Sequence, residues 1–186
     1  MRTTRLAIIG LGNVGRRLLE LIQIKRDLLR ARFDLELVVV GAADTTGIAL
    51  ADEPLNIADL LQFKREHKGI EEYPGFGQPG ATAQQLVQQC LADVLVELSL
   101  TNLKHGEPGL SAIRNALKRK MNVVTANKGP LVLAYQELAA LAQSNSVQLL
   151  HSATVTGGLP TLNLGVRDLG TTIIEKFEGI VNGTTN

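Results

Sequence analysis

The chain has 186 residues, enough for one sizeable α/β domain and part of a second. Its 19 basic and 18 acidic residues nearly cancel and aromatics make up only 3%, which excludes a broad nucleic-acid footprint, a charged membrane-surface patch and a base-stacking platform. A single cysteine, Cys90, excludes an internal disulfide framework and suits a reducing compartment. No run approaches the ~20 apolar residues of a membrane span. The N-terminal run is too short and glycine-broken for a signal peptide, so the expectation is a soluble cytoplasmic protein.

The short apolar run Leu6–Ile9 leads directly into Gly10-Leu11-Gly12-Asn13-Val14-Gly15, and an amphipathic stretch follows at once. Strand, G-x-G-x-x-G, helix is the context in which that motif signifies dinucleotide binding. Gly10 makes the tight turn, Gly12 admits a pyrophosphate close to the backbone, and Gly15 lets helix and strand pack together. Asn13–Arg30 reads as one helix with Val14, Leu18, Leu21, Ile22, Leu28 and Leu29 on its buried face. Leu35–Ala43 is a valine-rich apolar run, as expected of a parallel strand covered on both faces, and it ends at Asp44. An acidic residue there can accept hydrogen bonds from adenine-ribose hydroxyls, although Asp44 lies further from the glycine motif than the usual ~20 residues.

Thr45–Gly80 is the least regular segment, with a helix expected over Asn56–His67 and a turn-rich surface loop over Glu71–Gly80. Thr82 and Gln85 have the spacing of a capping box for a helix through Cys90. Asp93–Leu98 and Met121–Thr125 read as strands around a helix over Glu107–Lys120, whose basic C-terminal end suits the helix dipole. A helix over Pro130–Gln143 and a strand over Ser146–Leu150 complete a β-α-β alternation without hairpin signals, which is the pattern of a Rossmann-like, doubly wound parallel sheet over residues 1–150. From His151 the texture changes. A small-residue loop leads into a helix over Pro160–Leu169 and a strand over Thr171–Val181, and a second α/β domain is expected to begin over 151–186 and be cut short.

Lys128, in Thr125-Ala126-Asn127-Lys128, stands at the carboxyl end of a strand and at the unfavourable positive end of a helix dipole. A lysine there can hold a substrate carboxylate or, with its charge destabilised by burial, transfer a proton. The loop Ser152–Pro160 offers backbone carbonyls to a hard cation. His67, His105 and His151 have no metal-ligand spacing, and no Ser-His-Asp arrangement can be assembled.

Four stretches together resemble homoserine dehydrogenase: GLGNVG at Gly10–Gly15, VVTANKGPL at Val123–Leu131, ATVTGGLPTL at Ala153–Leu162 and GIVNGTTN at Gly179–Asn186. The resemblance implies NAD or NADP-dependent interconversion of L-aspartate 4-semialdehyde and L-homoserine, on the route to threonine and methionine, by a Rossmann domain joined to a substrate and dimerisation domain. It implies that Gly10, Gly12, Asn13, Val14 and Gly15 hold the pyrophosphate, that Thr101 and Thr125 lie near the nicotinamide half, and that Lys128 faces cofactor and substrate. It places Asn182, Gly183 and Thr184 on the substrate side and implies a homodimer in the complete enzyme. A monovalent cation, usually sodium, would take the carbonyls of Val155, Gly157 and Leu159. The family's glutamate at that site is Ser152 here. Family members continue past Asn186 into a segment with substrate-binding acids and the principal catalytic lysine, so the expectation is a chain that binds a dinucleotide but turns over poorly or not at all. Asp44 followed by Thr45 and Thr46, with no arginine beside it, slightly favours NAD, although Lys64 or Arg65 can fold back toward a 2′-phosphate. Two other readings stay open: a related oxidoreductase acting on another amino-acid-derived carbonyl, and a non-catalytic dinucleotide-binding module.

Overall fold

The computed structural model describes residues 1–66 and 69–179. The apolar runs become strands β1 (Arg2–Ile9), β2 (Leu35–Ala43), β3 (Gly47–Leu55), β4 (Gly77–Pro79), β5 (Val94–Glu97), β6 (Asn122–Thr125) and β7 (Leu149–Leu150). They lie in one sheet in the order β4-β3-β2-β1-β5-β6-β7. The ladders from β2 through β1, β5 and β6 to β7 are parallel. Around them pack α1 (Asn13–Ile24), α2 (Arg26–Phe33), α3 (Ile57–Glu66), α4 (Ala83–Gln89), α5 (Gly109–Lys118) and α6 (Lys128–Ser144).

The sheet is doubly wound because alternate residues of each central strand feed opposite cores. Leu6 and Ile8 of β1 point into one core with Leu19 and Ile22 of α1 and Leu60 and Leu61 of α3. Ala7 and Ile9 point into the other, with Leu86 of α4, Ile113 and Leu117 of α5 and Leu138 of α6. Burial on both faces is what requires the near-continuous apolar strands seen in the sequence.

Several elements depart from the sequence expectation. The sheet is not wholly parallel: β3 returns antiparallel to β2, and β4 is antiparallel to β3. The turn between β2 and β3 is built by Asp44, whose N–H donates to Gly47 O at 3.1 Å. The Asp44 carboxylate accepts from Thr46 N at 2.9 Å and Thr46 Oγ1 at 2.6 Å. An aspartate folding its own turn replaces the asparagine-glycine signal of a tight hairpin. Pro54 and the acidic pair before it hide the rest of the strand, which they can occupy because Asp52, Glu53 and Pro54 are exposed while Leu55 beyond them is buried.

The long first helix breaks at Lys25 into α1 and α2, and α2 buries none of its residues. Arg26 and Arg30 hold α2 to the sheet instead by gripping Glu36 of β2, with Arg30 Nη2 2.6 Å from Oε2. The buried line of α1 is Gly15, Leu19 and Ile22, while Val14, at 59% exposure, Leu21 and Leu28 face outward. Gly15 must face β1, and the positions four and seven residues on follow it inward.

Expected strand Ser146–Leu150 shortens to β7 because its first residues finish α6. Ser146 has φ 57°, and Val147 N–H donates to Ala142 O at 3.0 Å, a Schellman ending. Beyond β7 the chain makes short turns: Ser152–Thr154 in 3-10 form, Thr161–Asn163 as one helical turn and Leu164–Asp168 as a wider π turn. The helix expected over Pro160–Leu169 is thus two short pieces, with Pro160 just before the first. No strand forms over 171–179, where Ile173, Ile174 and Phe177 are exposed, because an isolated strand has no ladder to complete it. No helix of the described residues is long and apolar enough to cross a membrane.

Candidate cofactor site at the switch point

Strands β2 and β5 flank β1 and their connections run to opposite sides, so the crevice above the carboxyl ends of β1, β2 and β5 is the topological switch point where open α/β sheets bind ligands. The glycine loop sits in that crevice. Gly10 has φ +96°, and a Cβ there would lie 2.5 Å from the backbone of Leu98, so the turn requires glycine twice over. A Cβ on Gly15 would lie 2.0 Å from Gly10 O, which is how close α1 comes to the turn. Gly12 differs: its φ of −74° suits any residue, and a Cβ there meets nothing within 4 Å. Open space above a backbone that starts a helix is where an anion reaches the helix N–H groups. No side chain caps that end of α1, although Thr82 and Asn127 cap α4 and α6. Asn13 and Val14 are exposed beside the opening. Arg16, which the sequence reading passed over, donates from Nη2 to Asn13 Oδ1 at 3.0 Å and adds positive charge to the same turn. A cation in a first helical turn opposes the dipole, and that is the signal that marks it.

Asp44, at the end of β2, is committed within the fold. Oδ1 takes both Thr46 donors, while Oδ2 accepts from Lys64 Nζ at 2.6 Å and Ile70 N at 3.1 Å. Burial alone would raise this carboxyl, but Lys64 and the Thr46 hydroxyl and N–H outweigh it and hold it below the ordinary aspartate range. A ribose hydroxyl therefore has to share or displace one of four existing donors. Lys64 turns onto Asp44 itself, and its near-complete burial there makes it part of the β2–β3 turn. Arg65 instead reaches Glu20 of α1 at 3.2 Å.

On the other side of the switch, the ends of β5 and β6 carry a polar cluster. Thr125 is buried and donates from Oγ1 to Glu97 Oε2 at 3.0 Å; Asn127 N–H donates back to Thr125 Oγ1 at 3.0 Å. Asn127 Oδ1 caps α6 by accepting from Gly129 N at 3.0 Å, which sets Lys128 as the first residue of that helix. Lys128 is exposed, so the route to an activated lysine through burial is not built within the described residues. Thr101 is exposed on the loop after β5. The fully buried Glu97 did not stand out in the sequence; its signal was a charged residue inside the otherwise apolar run Val94–Leu98.

Of the other expected positions, Asn182, Gly183 and Thr184, like His67, lie outside the described residues. In the loop after β7, Thr156 Oγ1 donates to Val155 O at 2.7 Å and reaches Leu159 O at 3.3 Å, and Gly157 has φ +61°. Two of the three carbonyls expected to hold a cation are thus drawn to one hydroxyl, and Ser152 turns to Asn163 Oδ1 at 3.3 Å. Among the described residues no group of three or more His, Cys, Asp or Glu is placed to hold a metal.

A glycine turn at the switch point, an open helix N-terminus above it and polar strand ends on both sides define a Rossmann-like dinucleotide-binding domain of the kind oxidoreductases use. The model of the family described as homoserine dehydrogenase, NAD binding domain, matches residues 10–152. The chain belongs to the homoserine dehydrogenase family. It is 35% identical to the homoserine dehydrogenase of Methanocaldococcus jannaschii over 96% of this chain and 53% of that protein. It is also 35% identical to the NAD(+)-dependent homoserine dehydrogenase of Pseudomonas canavaninivorans, over all of this chain and 53% of that one. Among solved structures, homoserine dehydrogenase from Thermoplasma acidophilum superposes with a TM-score of 0.76 at 28% identity, covering 91% of this chain and 49% of that one. A hyperthermophilic archaeal homoserine dehydrogenase in complex with NADPH does so with a TM-score of 0.75 at 25% identity, covering 88% and 48%. The chain spans about half the length of the curated relatives it matches.

Proposed function

We propose that this chain supplies the cofactor-binding half of an enzyme that interconverts L-aspartate 4-semialdehyde and L-homoserine with NAD or NADP. The observation that carries the reading is the open, uncapped N-terminus of α1 behind Gly12, at the switch point of a domain that aligns with this family over its whole length. Gly10, Gly12, Asn13, Val14 and Gly15 grip the pyrophosphate, with Arg16 adding charge to the grip. The adenosine end lies toward Asp44 and the nicotinamide end toward Thr101 and Thr125. When bound, the reduced nicotinamide would supply a hydride to the substrate's aldehyde carbon. Lys128 stands at the mouth of that end, where its ammonium orients the substrate or relays a proton, the main acid/base being the lysine that family members carry beyond this chain. Asn182, Gly183 and Thr184 are proposed for the substrate side, and residues 151–186 for the start of a second domain through which the complete protein forms a homodimer in the cytoplasm. A bound sodium ion is no part of this proposal.

Between the two cofactors we favour NAD, because the Asp44 carboxylate at the end of β2 opposes a 2′-phosphate. The relatives divide on this point: one is named NAD(+)-dependent and another is described in complex with NADPH. Calorimetric titration of the chain should give tighter binding of NADH than of NADPH, and the reverse order would refute the choice. Turnover is tested on the longer protein that contains this chain: hydride transfer from either cofactor to aspartate semialdehyde is expected, and its absence with both would refute the enzymatic reading.

A further inference from the structure

The proposed chemistry gives no role to the most deeply buried carboxylate among the described residues. Glu97 is 0% exposed, and none of the salt bridges among the described residues reaches it. A carboxylate taken wholly out of water without a cation is costly unless donors surround it. Here they do. Ser99 donates to Oε1 from N–H at 2.9 Å and from its hydroxyl, and Thr125 Oγ1 donates to Oε2 at 3.0 Å. Asn127 Nδ2 bonds Ser99 Oγ at 3.2 Å and lies 3.5 Å from Oε1. The first residue of α5 closes the cavity: a Cβ on Gly109 would sit 3.0 Å from the Glu97 carboxyl carbon, so the positive end of that helix abuts the carboxylate.

Each residue bound to Glu97 begins a segment that faces the crevice. Ser99 opens the loop carrying Thr101; Thr125 ends β6; Asn127 caps α6 and so fixes Lys128. The two loops are also locked to each other, since a Cβ on Gly129 would lie 2.5 Å from Asn102 O. The pyrophosphate and adenosine contacts, by contrast, are proposed for the β1–α1 turn and the end of β2; the turn packs on the backbone of Leu98 and Ser99, but neither element hydrogen-bonds the Glu97 side chain.

Resting on the dinucleotide reading above, we infer that Glu97 is a positioning residue that builds the nicotinamide end of the site: its buried carboxylate gathers Ser99, Thr125 and Asn127 and thereby sets the floor on which the nicotinamide riboside lies. Glu97 touches neither cofactor nor substrate; it acts through the three residues it binds.

The test compares NADH with ADP, which carries the adenosine and pyrophosphate but no nicotinamide riboside, by calorimetric titration of the 186-residue chain. Glu97→Leu removes both acceptor oxygens and should weaken NADH by about tenfold or more, since several charge-assisted hydrogen bonds are lost, while leaving ADP within about twofold. Glu97→Gln keeps one acceptor, and the Thr125 hydroxyl can rotate to accept from the new amide, so much of the NADH affinity should return. Equal losses for NADH and ADP, or no loss in either, would overturn the inference. Should the leucine variant not fold, Ser99→Ala and Thr125→Val each delete one bond to Glu97 and one to Asn127 and should shift the NADH-to-ADP ratio in the same direction by a smaller factor; an unchanged ratio in both would overturn it equally. Failure of the unmutated chain to bind either ligand would instead refute the dinucleotide reading itself.

Discussion

Replacing Gly12 by alanine separates a glycine needed by the fold from one needed by a ligand. At Gly12 the backbone is ordinary, with φ −74°, and the added methyl meets nothing within 4 Å. Two small effects on stability oppose one another. Alanine restricts the unfolded chain and so stabilises by roughly 0.4–1 kcal/mol, while as an N-cap it is poorer than glycine by a comparable amount. The net change should stay within about 1 kcal/mol, or roughly 2–4 °C in Tm for a chain of this size. The methyl nevertheless occupies the open space proposed for the pyrophosphate. Overpacking of one carbon costs about 1–3 kcal/mol, which weakens binding by roughly 5- to 150-fold. Paired thermal melts and NADH titrations of Gly12→Ala read both quantities. An alanine variant that binds NADH as tightly as the unmutated chain would refute the assignment of this loop as the phosphate grip.

Three further outcomes follow from the packing. Gly15→Ala should do the opposite of Gly12→Ala: its methyl starts 2.0 Å from Gly10 O, α1 must withdraw by about an ångström, and stability should fall by about 1–3 kcal/mol in a denaturant titration. Leu19→Ala should cost about 2–5 kcal/mol and Leu21→Ala less than about 1 kcal/mol, because only Leu19 is buried; similar Cm values for the two would refute the observed rotation of α1. The Asp44 carboxyl is held below its ordinary value, so its stabilisation is complete above about pH 4 and fades as pH falls through the lowered folded value. Asp44→Asn, which removes the carboxylate beside the buried Lys64 ammonium, should cost about 1.5–3 kcal/mol at neutral pH and flatten the acid limb of a stability–pH curve.

What could be read in advance was whatever rests on local pattern. The β1–loop–α1 unit, the Thr82–Gln85 capping box and the parallel strands around Leu95 and Val123 each carry their own signal of spacing or apolar run. The antiparallel pair β3 and β4 carried none, because the turn is made by Asp44 folding on itself and the strand contains Pro54. The rotation of α1 was missed because counting leucines weighs mass, whereas the fold obeys the single position, Gly15, where a side chain cannot fit. Glu97 was missed for a related reason: a carboxylate becomes interpretable only once Ser99, Thr125 and Asn127, up to 30 residues away, are seen to converge on it. Asp44 was recognised as a site candidate, but its four internal donors belong to tertiary structure.

The close approach of Gly109 to Glu97 and Asn127 has a consequence for how such a sequence can drift. The space for a carboxylate at 97 exists because position 109 has no side chain, and a Cβ there would meet Glu97 Cδ at 3.0 Å and Asn127 Nδ2 at 2.9 Å. A side chain at 109 presses on both Glu97 and Asn127, and a residue at 97 that offers no oxygen orphans the Ser99 and Thr125 donors, so changes at the three positions are coupled. A library randomised at 97, 109 and 127 together should therefore give combinations whose stabilities depart from the sum of the single changes.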